Sequence, residues 1–225
     1  MIPEKANFIE LCIRSEALRF GEFKLKSGRV SPYFFNAGRF DRGALLGEVA
    51  RHYAQLLAER VRGDFMLFGP AYKGIALAAA VAVKLADDHG RDVGYAFNRK
   101  EAKDHGEGGD LVGAPLRGKV VIVDDVITAG TSVRESVGAI QAAGASAHAA
   151  VIALDRAEIA DADDSRSATQ QVVDEHGIAV HAIISLRDLI DYLRQSESAP
   201  HDAARAKLAR HADAINAYRD RYGVG

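Results

Sequence analysis

Cysteine occurs once in the 225 residues, at Cys12, so no disulfide can close within the chain, and a reducing compartment is its natural setting. Cys12 sits in an apolar helical pattern and reads as a small core residue. Long hydrophobic runs are also missing. The longest extends from Ile75 to Val83, about half of the ~20 residues that span a bilayer, so no membrane is expected as a partner. The N-terminal Met-Ile-Pro-Glu-Lys lacks the basic start and apolar stretch of a secretion signal, and a cytoplasmic location is expected. Neither charge sign dominates. Lys and Arg number 29 against 31 Asp and Glu, a net charge of −2 with the signs interspersed, so no nucleic-acid partner is indicated. A GxxxxGK[S/T] phosphate loop is absent as well. Gly69-Pro70-Ala71-Tyr72-Lys73-Gly74 has the wrong spacing for one, which excludes a P-loop ATPase or kinase.

What is present is the mix of a soluble globular protein, with 48% hydrophobic and 27% charged residues. Apolar spacing predicts a helix over 6–20 closed by Gly21, then a small hairpin hood over 23–36. A second amphipathic helix runs from Gly43 to about Arg62. Beyond it the rhythm changes to short, wholly apolar runs (Phe65 to Phe68, Val120 to Val123) alternating with helices over 74–87 and 131–143. Further strands are predicted over 93–98, 148–154 and 178–184, and a helix over 166–176. Residues 157–168 read as the most loop-like segment. A terminal helix over 201–222 carries Ala204, Leu208, His211, Ile215, Tyr218 and Tyr222 on one face. Such alternation implies an α/β fold, a parallel sheet flanked by helices, with ligands beyond the carboxyl ends of its strands. The expected organisation is one domain over 1–225: a hood over 1–40, an α/β core over 41–195, and the terminal helix.

The strongest motif is Val120 to Ser132. A buried strand ends in Asp124-Asp125, and Val126-Ile127-Thr128-Ala129-Gly130-Thr131-Ser132 leads into a helix. Backbone N–H groups and small hydroxyls at a helix start suit a phosphate dianion. The adjacent carboxylates suit vicinal hydroxyls, each charged hydrogen bond worth roughly 1.5–3 kcal/mol. A sugar phosphorylated at one end and hydroxylated at the other fits both halves. The stretch resembles the phosphoribosyl-pyrophosphate motif of type I phosphoribosyltransferases.

A second stretch, Arg99 to Gly109, combines Arg99, Lys100, Lys103 and His105 with three glycines, the composition of a mobile lid over an anion. It resembles the catalytic loop of orotate phosphoribosyltransferases, as do Phe20 to Gly28, Ser31 to Asn36 and Phe68 to Gly74. The likeness runs from about Phe8 to Arg156 and more loosely to the C-terminus. It implies transfer of a phosphoribosyl group to orotate with Mg²⁺ held mainly through the substrate rather than by dedicated ligands, in a homodimer whose lid covers the partner's site. Carried over by position, it assigns Lys26, Tyr72, Lys73, Arg99, Lys100, Lys103 and His105 to the donor's diphosphate. Asp124 to Ser132 fall to the ribose and 5′-phosphate, and Phe34, Phe35, Thr128 and Arg156 to orotate. Lys103, His105, Asp124 and Asp125 are the candidate catalytic residues. Independently of the resemblance, aromatic rings at 34 and 35 can flank a flat pyrimidine, and an arginine fork at 156 can grip a carboxylate. The rival readings are a purine phosphoribosyltransferase, which shares the cradle but not this hood and lid, and a non-catalytic sensor of the same donor.

Overall fold

A computed structural model describes residues 2–25, 28–100, 110–161, 164–197 and 208–224. Its centre is a six-stranded sheet in the order β10-β7-β6-β3-β4-β5. The strands are β3 (Met66–Gly69), β4 (Tyr95–Asn98), β5 (Leu111–Gly113), β6 (Lys119–Val123), β7 (Ser146–Asp155) and β10 (Ala179–Ser185). All neighbours pair in parallel except β4 and β5, which are antiparallel. β3 and most of β6 are buried on both faces, which is why they read as unbroken apolar runs rather than as alternation.

Successive side chains of these strands feed two separate cores. Leu67, Val121, Val123 and Val151 join α1 (Pro3–Arg14), α2 (Gly43–Arg60), α3 (Lys73–His89), α6 (Leu186–Glu197) and α7 (Ala212–Tyr222) on one face. Met66, Phe68, Val120, Ile122 and Ile152 pack against α4 (Thr131–Ala142) and α5 (Ala168–His176) on the other. Each fully buried Leu, Ile or Phe contributes about 1.5–3 kcal/mol to holding the helices on the sheet, and the parallel pairing brings the carboxyl ends of β3, β4, β6, β7 and β10 to one edge.

Two expectations are corrected and one helix is added. The first helix stops at Arg14, and β1 (Leu18–Lys24) runs straight through Gly21 to pair with β2 (Val30–Phe35). Phe8, Leu11 and Cys12 are buried helix positions, whereas Leu18 is an inward residue of the strand. Gly21, at φ 152°, serves the bulge between Phe20 and Phe23 instead of a helix cap. Residues 157–168 are not simply loop: β8 (Ile159–Asp161) and β9 (Asp164–Ser167) form a small hairpin there. Finally, α6 was not anticipated, although Leu186, Leu189, Ile190 and Leu193 recur at helical spacing and are all buried. The terminal helix is described over 212–222, with Ile215 and Tyr218 buried, and Ala204 lies outside the described residues. No helix among the described residues is long and apolar enough to cross a membrane.

Candidate active site

β6 carries Asp124 and Asp125 to the carboxyl edge of the sheet, where they are 8% and 6% exposed. There the backbone leaves the ladder. Asp124 N still donates to Val151 O at 3.1 Å, but Asp125 N turns to Asp124 Oδ1 at 2.8 Å and Val126 N to Asp125 Oδ1 at 2.9 Å. These local side-chain acceptors end the strand and start the turn. The other oxygen of Asp124 accepts from Ser132 Oγ at 2.9 Å, tying strand to helix. Behind them the buried Tyr53 of α2 donates its hydroxyl to the Asp124 carbonyl at 2.8 Å. Lys73, the first residue of α3, places Nζ 2.6 Å from Asp125 Oδ2.

Asp124 is buried beside a second acidic side chain. Burial first, then the charge of Asp125, pushes the Asp124 carboxyl up to about 6, against the pull of Asp125 N–H, Ser132 and Lys73. A group raised in this way favours the fold when protonated. Its contribution is full below the unfolded value near 3.8 and is lost as pH rises through about 6.

The turn from Val126 ends at Gly130, whose φ of 73° is left-handed. A Cβ there would lie 3.0 Å from Arg134 Nη1 and 3.1 Å from Val172 Cγ2, so conformation and space both require glycine. Arg134 Nη1 donates to the Ala129 carbonyl at 2.6 Å while Nε donates to Glu175 at 2.6 Å, stapling the turn to α5. No side chain caps α4, which leaves its first-turn N–H groups for a ligand. They open on a cavity of about 320 Å³ lined by Thr128 to Ser132, Asp124, Pro70, Asn98, Lys100 and Glu135. A more open hollow of about 740 Å³ lies at the opposite, amino ends of the strands and includes Arg91, Arg117 and Lys119. Of these two, the smaller is lined by Asp124 and by the open helix start.

The wall opposite the turn comes from the β3–α3 junction. Gly69 and Gly74 let the two elements touch: a Cβ on Gly69 would fall 2.1 Å from Gly74 O, and one on Gly74 would fall 2.6 Å from Pro70 Cδ. Between them the Ala71–Tyr72 peptide is cis, Ala71 N donates to Asn98 Oδ1 at 2.8 Å, and the Tyr72 side chain is exposed. Tyr53 and Asn98 were not anticipated as site residues. Asn98 had a signal, a polar residue at the carboxyl end of a parallel strand, whereas Tyr53 looks like any other apolar-face residue of α2.

The structure thus brings together Lys73, Lys100 and Asp124 to Ser132. Lys26, Lys103 and His105 lie outside the described residues. Arg99 begins the turn after β4, its backbone N–H donating to Asp110 O at 2.7 Å. Phe34 and Phe35 cannot flank one ring together, because consecutive strand residues point to opposite faces. Phe35 is 6% exposed and packs on Phe40, whereas Phe34 lies on the other face, stacked on Phe23 at 5.5 Å beneath Arg19. Arg156 follows β7 and is largely buried, its Nη2 2.7 Å from Glu158 Oε1 and its Nε 3.1 Å from the Tyr33 hydroxyl. Burial works against that charge, yet Tyr33 and Glu158 hold the guanidinium above its ordinary range.

The chemistry at Asp124 and Asp125 fits a divalent cation shared with a substrate. Their crowded negative charge is what a cation relieves, and among the described residues no third acid, His or Cys converges to complete a cage.

Residues 41–183 match the family described as phosphoribosyl transferase domain. An orotate phosphoribosyltransferase of Cupriavidus necator is 59% identical over 221 residues, covering 96% of this chain and 93% of that protein. One from Chromohalobacter salexigens is 53% identical over 227 residues, covering 99% and 96%. The crystal structure of orotate phosphoribosyltransferase from Francisella tularensis superposes with a TM-score of 0.81 at 40% identity, covering 96% of this chain and 99% of that one. With the cradle after β6 and this likeness along almost the whole length, the chain belongs to the orotate phosphoribosyltransferases of the phosphoribosyl transferase domain family.

Proposed function

We propose that the 1–225 unit acts in the cytoplasm and moves the 5-phosphoribosyl group from phosphoribosyl pyrophosphate to orotate, using the cavity after β6. The observation that carries this is the junction of two half-sites: buried Asp124 and Asp125 beside an uncapped helix start rich in hydroxyls. The 5′-phosphate sits on the N–H groups and hydroxyls of Thr128 to Ser132. The ribose hydroxyls donate to Asp124 and Asp125, which tolerate positive charge growing on the sugar as pyrophosphate leaves. Lys73, half exposed and paired with Asp125, is free to transfer to the diphosphate, joined by Lys26, Tyr72, Arg99, Lys100, Lys103 and His105. The carbon–oxygen bond to pyrophosphate breaks, and the orotate ring nitrogen bonds to the anomeric carbon from the opposite face as its N–H proton passes to solvent. Phe34, Thr128 and Arg156 hold orotate. Asp124 and Asp125 would lie beside a Mg²⁺ held mainly through the substrate, and that ion would supply positive charge to offset the departing diphosphate.

Absorbance of orotate followed in the presence of phosphoribosyl pyrophosphate, with adenine and uracil as controls, tests this reading. Loss of orotate alone, abolished by removing Mg²⁺, is expected. Turnover of adenine, or donor binding without any turnover, would replace it with the purine enzyme or the sensor.

The homodimer with a shared lid is part of the same proposal and rests on the likeness of residues 99–109 to the family's catalytic loop. Mixed Lys103→Ala and Asp125→Asn chains, each inactive alone, are then expected to recover up to about a quarter of wild-type activity, because half of random dimers carry one intact site. No recovery after verified subunit exchange would place lid and cradle on the same chain.

A further inference from the structure

Arg156 does not stand alone beside the site; it is held by a knot that ends in the last residues of the chain. Glu158 Oε1 accepts from Arg156 Nε at 2.8 Å and from the Tyr33 hydroxyl at 2.9 Å, and its Oε2 accepts from the Tyr218 hydroxyl at 3.2 Å. Tyr218 belongs to α7 and meets the Tyr33 ring edge-on at 6.2 Å, while the Arg156 guanidinium lies 5.0 Å from the centre of that ring. The backbone repeats the connection. Glu158 pairs with Gly223 in an antiparallel bridge, and Val224 N donates to Ala157 O at 2.8 Å. Between the two charged residues Ala157 adopts a left-handed φ of 48°, uncommon for a residue with a side chain, and Arg156 and Glu158 meet across it. Nearby, Arg29 of the hairpin donates to Ile159 O at 2.9 Å and covers the Tyr222 ring at 4.9 Å. Hairpin, strand end and C-terminal tail therefore converge on one arginine.

We infer that Glu158 and Tyr218 are positioning residues for the acceptor base, with the C-terminal tail acting as a buttress that fixes the direction of the Arg156 fork. The inference rests on the reading that Arg156 grips the orotate carboxylate. Tyr33 and Glu158 both take Nε, while Nη2, although 2.7 Å from Glu158 Oε1, is buried with no hydrogen-bond partner and none is formed by Nη1 among the described residues, so the outer edge of the fork is left for a carboxylate. A long arginine held on one edge loses little rotamer freedom when it binds at the other, so the buttress lowers the entropic cost of binding orotate. The same knot keeps the charge buried without a penalty large enough to expel it, because Glu158 balances it at 2.7 Å. Among the described residues the tail bonds and stacks on Glu158, Ala157, Tyr33 and Arg29 and not on Asp124 to Ser132, so its loss should be felt by one substrate and not by the other.

Steady-state constants for both substrates, measured on Arg156→Gln, Glu158→Gln, Tyr218→Phe, the Arg156→Gln/Tyr218→Phe double variant and a chain lacking residues 223–225, test the proposal. Tyr218→Phe keeps the ring and the packing against Tyr33, and a melting curve checks that it folds. The expected result is a KM for orotate raised more than tenfold by Arg156→Gln, about tenfold by Glu158→Gln, and three- to fivefold by Tyr218→Phe and by the truncation. The KM for phosphoribosyl pyrophosphate should stay within twofold throughout. In the double variant Tyr218→Phe should add nothing, because it acts through an arginine already gone. If Arg156→Gln raises the orotate KM and none of the others does, the tail is packing only and the buttress is wrong. If the effects add, or both KM values rise together, the tail acts by general destabilisation. If Arg156→Gln itself leaves the orotate KM unchanged, the acceptor reading of Arg156 fails and the buttress falls with it.

Discussion

Replacing Asp124 with asparagine is expected to make the ligand-free protein more stable at neutral pH while lowering kcat/KM by up to about 100-fold. Asparagine keeps an oxygen for the Asp125 N–H and offers an amide to Ser132 Oγ, so both local contacts survive the change. What disappears is a buried negative charge beside Asp125, held up at about 6 by burial and by that neighbour. Ionising it at neutral pH costs the fold on the order of 2–3 kcal/mol relative to the unfolded chain. The sign sets the test. The gain should be full above about pH 6, shrink as pH falls towards 3.8, and vanish below it, where both proteins are neutral at this position. Activity moves the other way, because the charged hydrogen bond from a ribose hydroxyl to Asp124, worth roughly 1.5–3 kcal/mol, weakens in the variant. Melting temperature against pH, measured beside kcat/KM, decides it. A variant destabilised at neutral pH would mean that the pair is a structural ion cluster and not a site under strain for binding.

Gly74→Ala is expected to lower the melting temperature by roughly 6–12 °C, taking a loss of about 3 kcal/mol and ~2–4 °C per kcal/mol for a chain of this size. The added methyl would meet Pro70 Cδ at 2.6 Å, Val123 O at 2.8 Å and Gly69 C at 2.9 Å. Two of those three are backbone atoms, and they belong to the carboxyl ends of β6 and β3, so neither can yield without moving the site. Lys73 is the adjacent residue, and its contact with Asp125 should be disturbed even in the fraction that folds. Gly138→Ala supplies the control, since its Cβ would meet nothing within 4 Å in α4, and alanine there should stabilise by up to about 1 kcal/mol. Equal melting temperatures for the two alanine variants would show that the close approach of β3 and α3 does not constrain the fold.

How far the fold is legible in the sequence depends on whether local pattern and tertiary packing agree. Val120 to Val123 is buried on both faces and looks it, and the helix after Gly130 starts where a left-handed glycine and two hydroxyls announce it. The first helix misleads because Leu18 fits its apolar spacing, while the partner that makes Leu18 a strand residue, Phe35, lies beyond the turn. β8 and β9 carry alanine, aspartate and serine, with no alternation to read, and pairing alone makes them strands. At the site, Asp124 to Ser132 is legible because one short segment supplies both half-sites. Tyr53 and Glu158 are not, since each acts through a hydroxyl or carboxylate whose target is set by the fold: the Asp124 carbonyl for one, Arg156 for the other. Phe34 and Phe35 show the same limit. The residue types suit a pyrimidine, but strand geometry turns one of the two rings into the core.

The location of the donor is tested most directly by amide NMR of the labelled protein titrated with ribose 5-phosphate in the presence of Mg²⁺. The largest shifts are expected at Thr128 to Ser132, with smaller ones at Asp124, Asp125 and Lys73. Unmoved amides there, with shifts instead around Arg91, Arg117 and Lys119 at the opposite ends of the strands, would contradict a phosphate site at the start of α4.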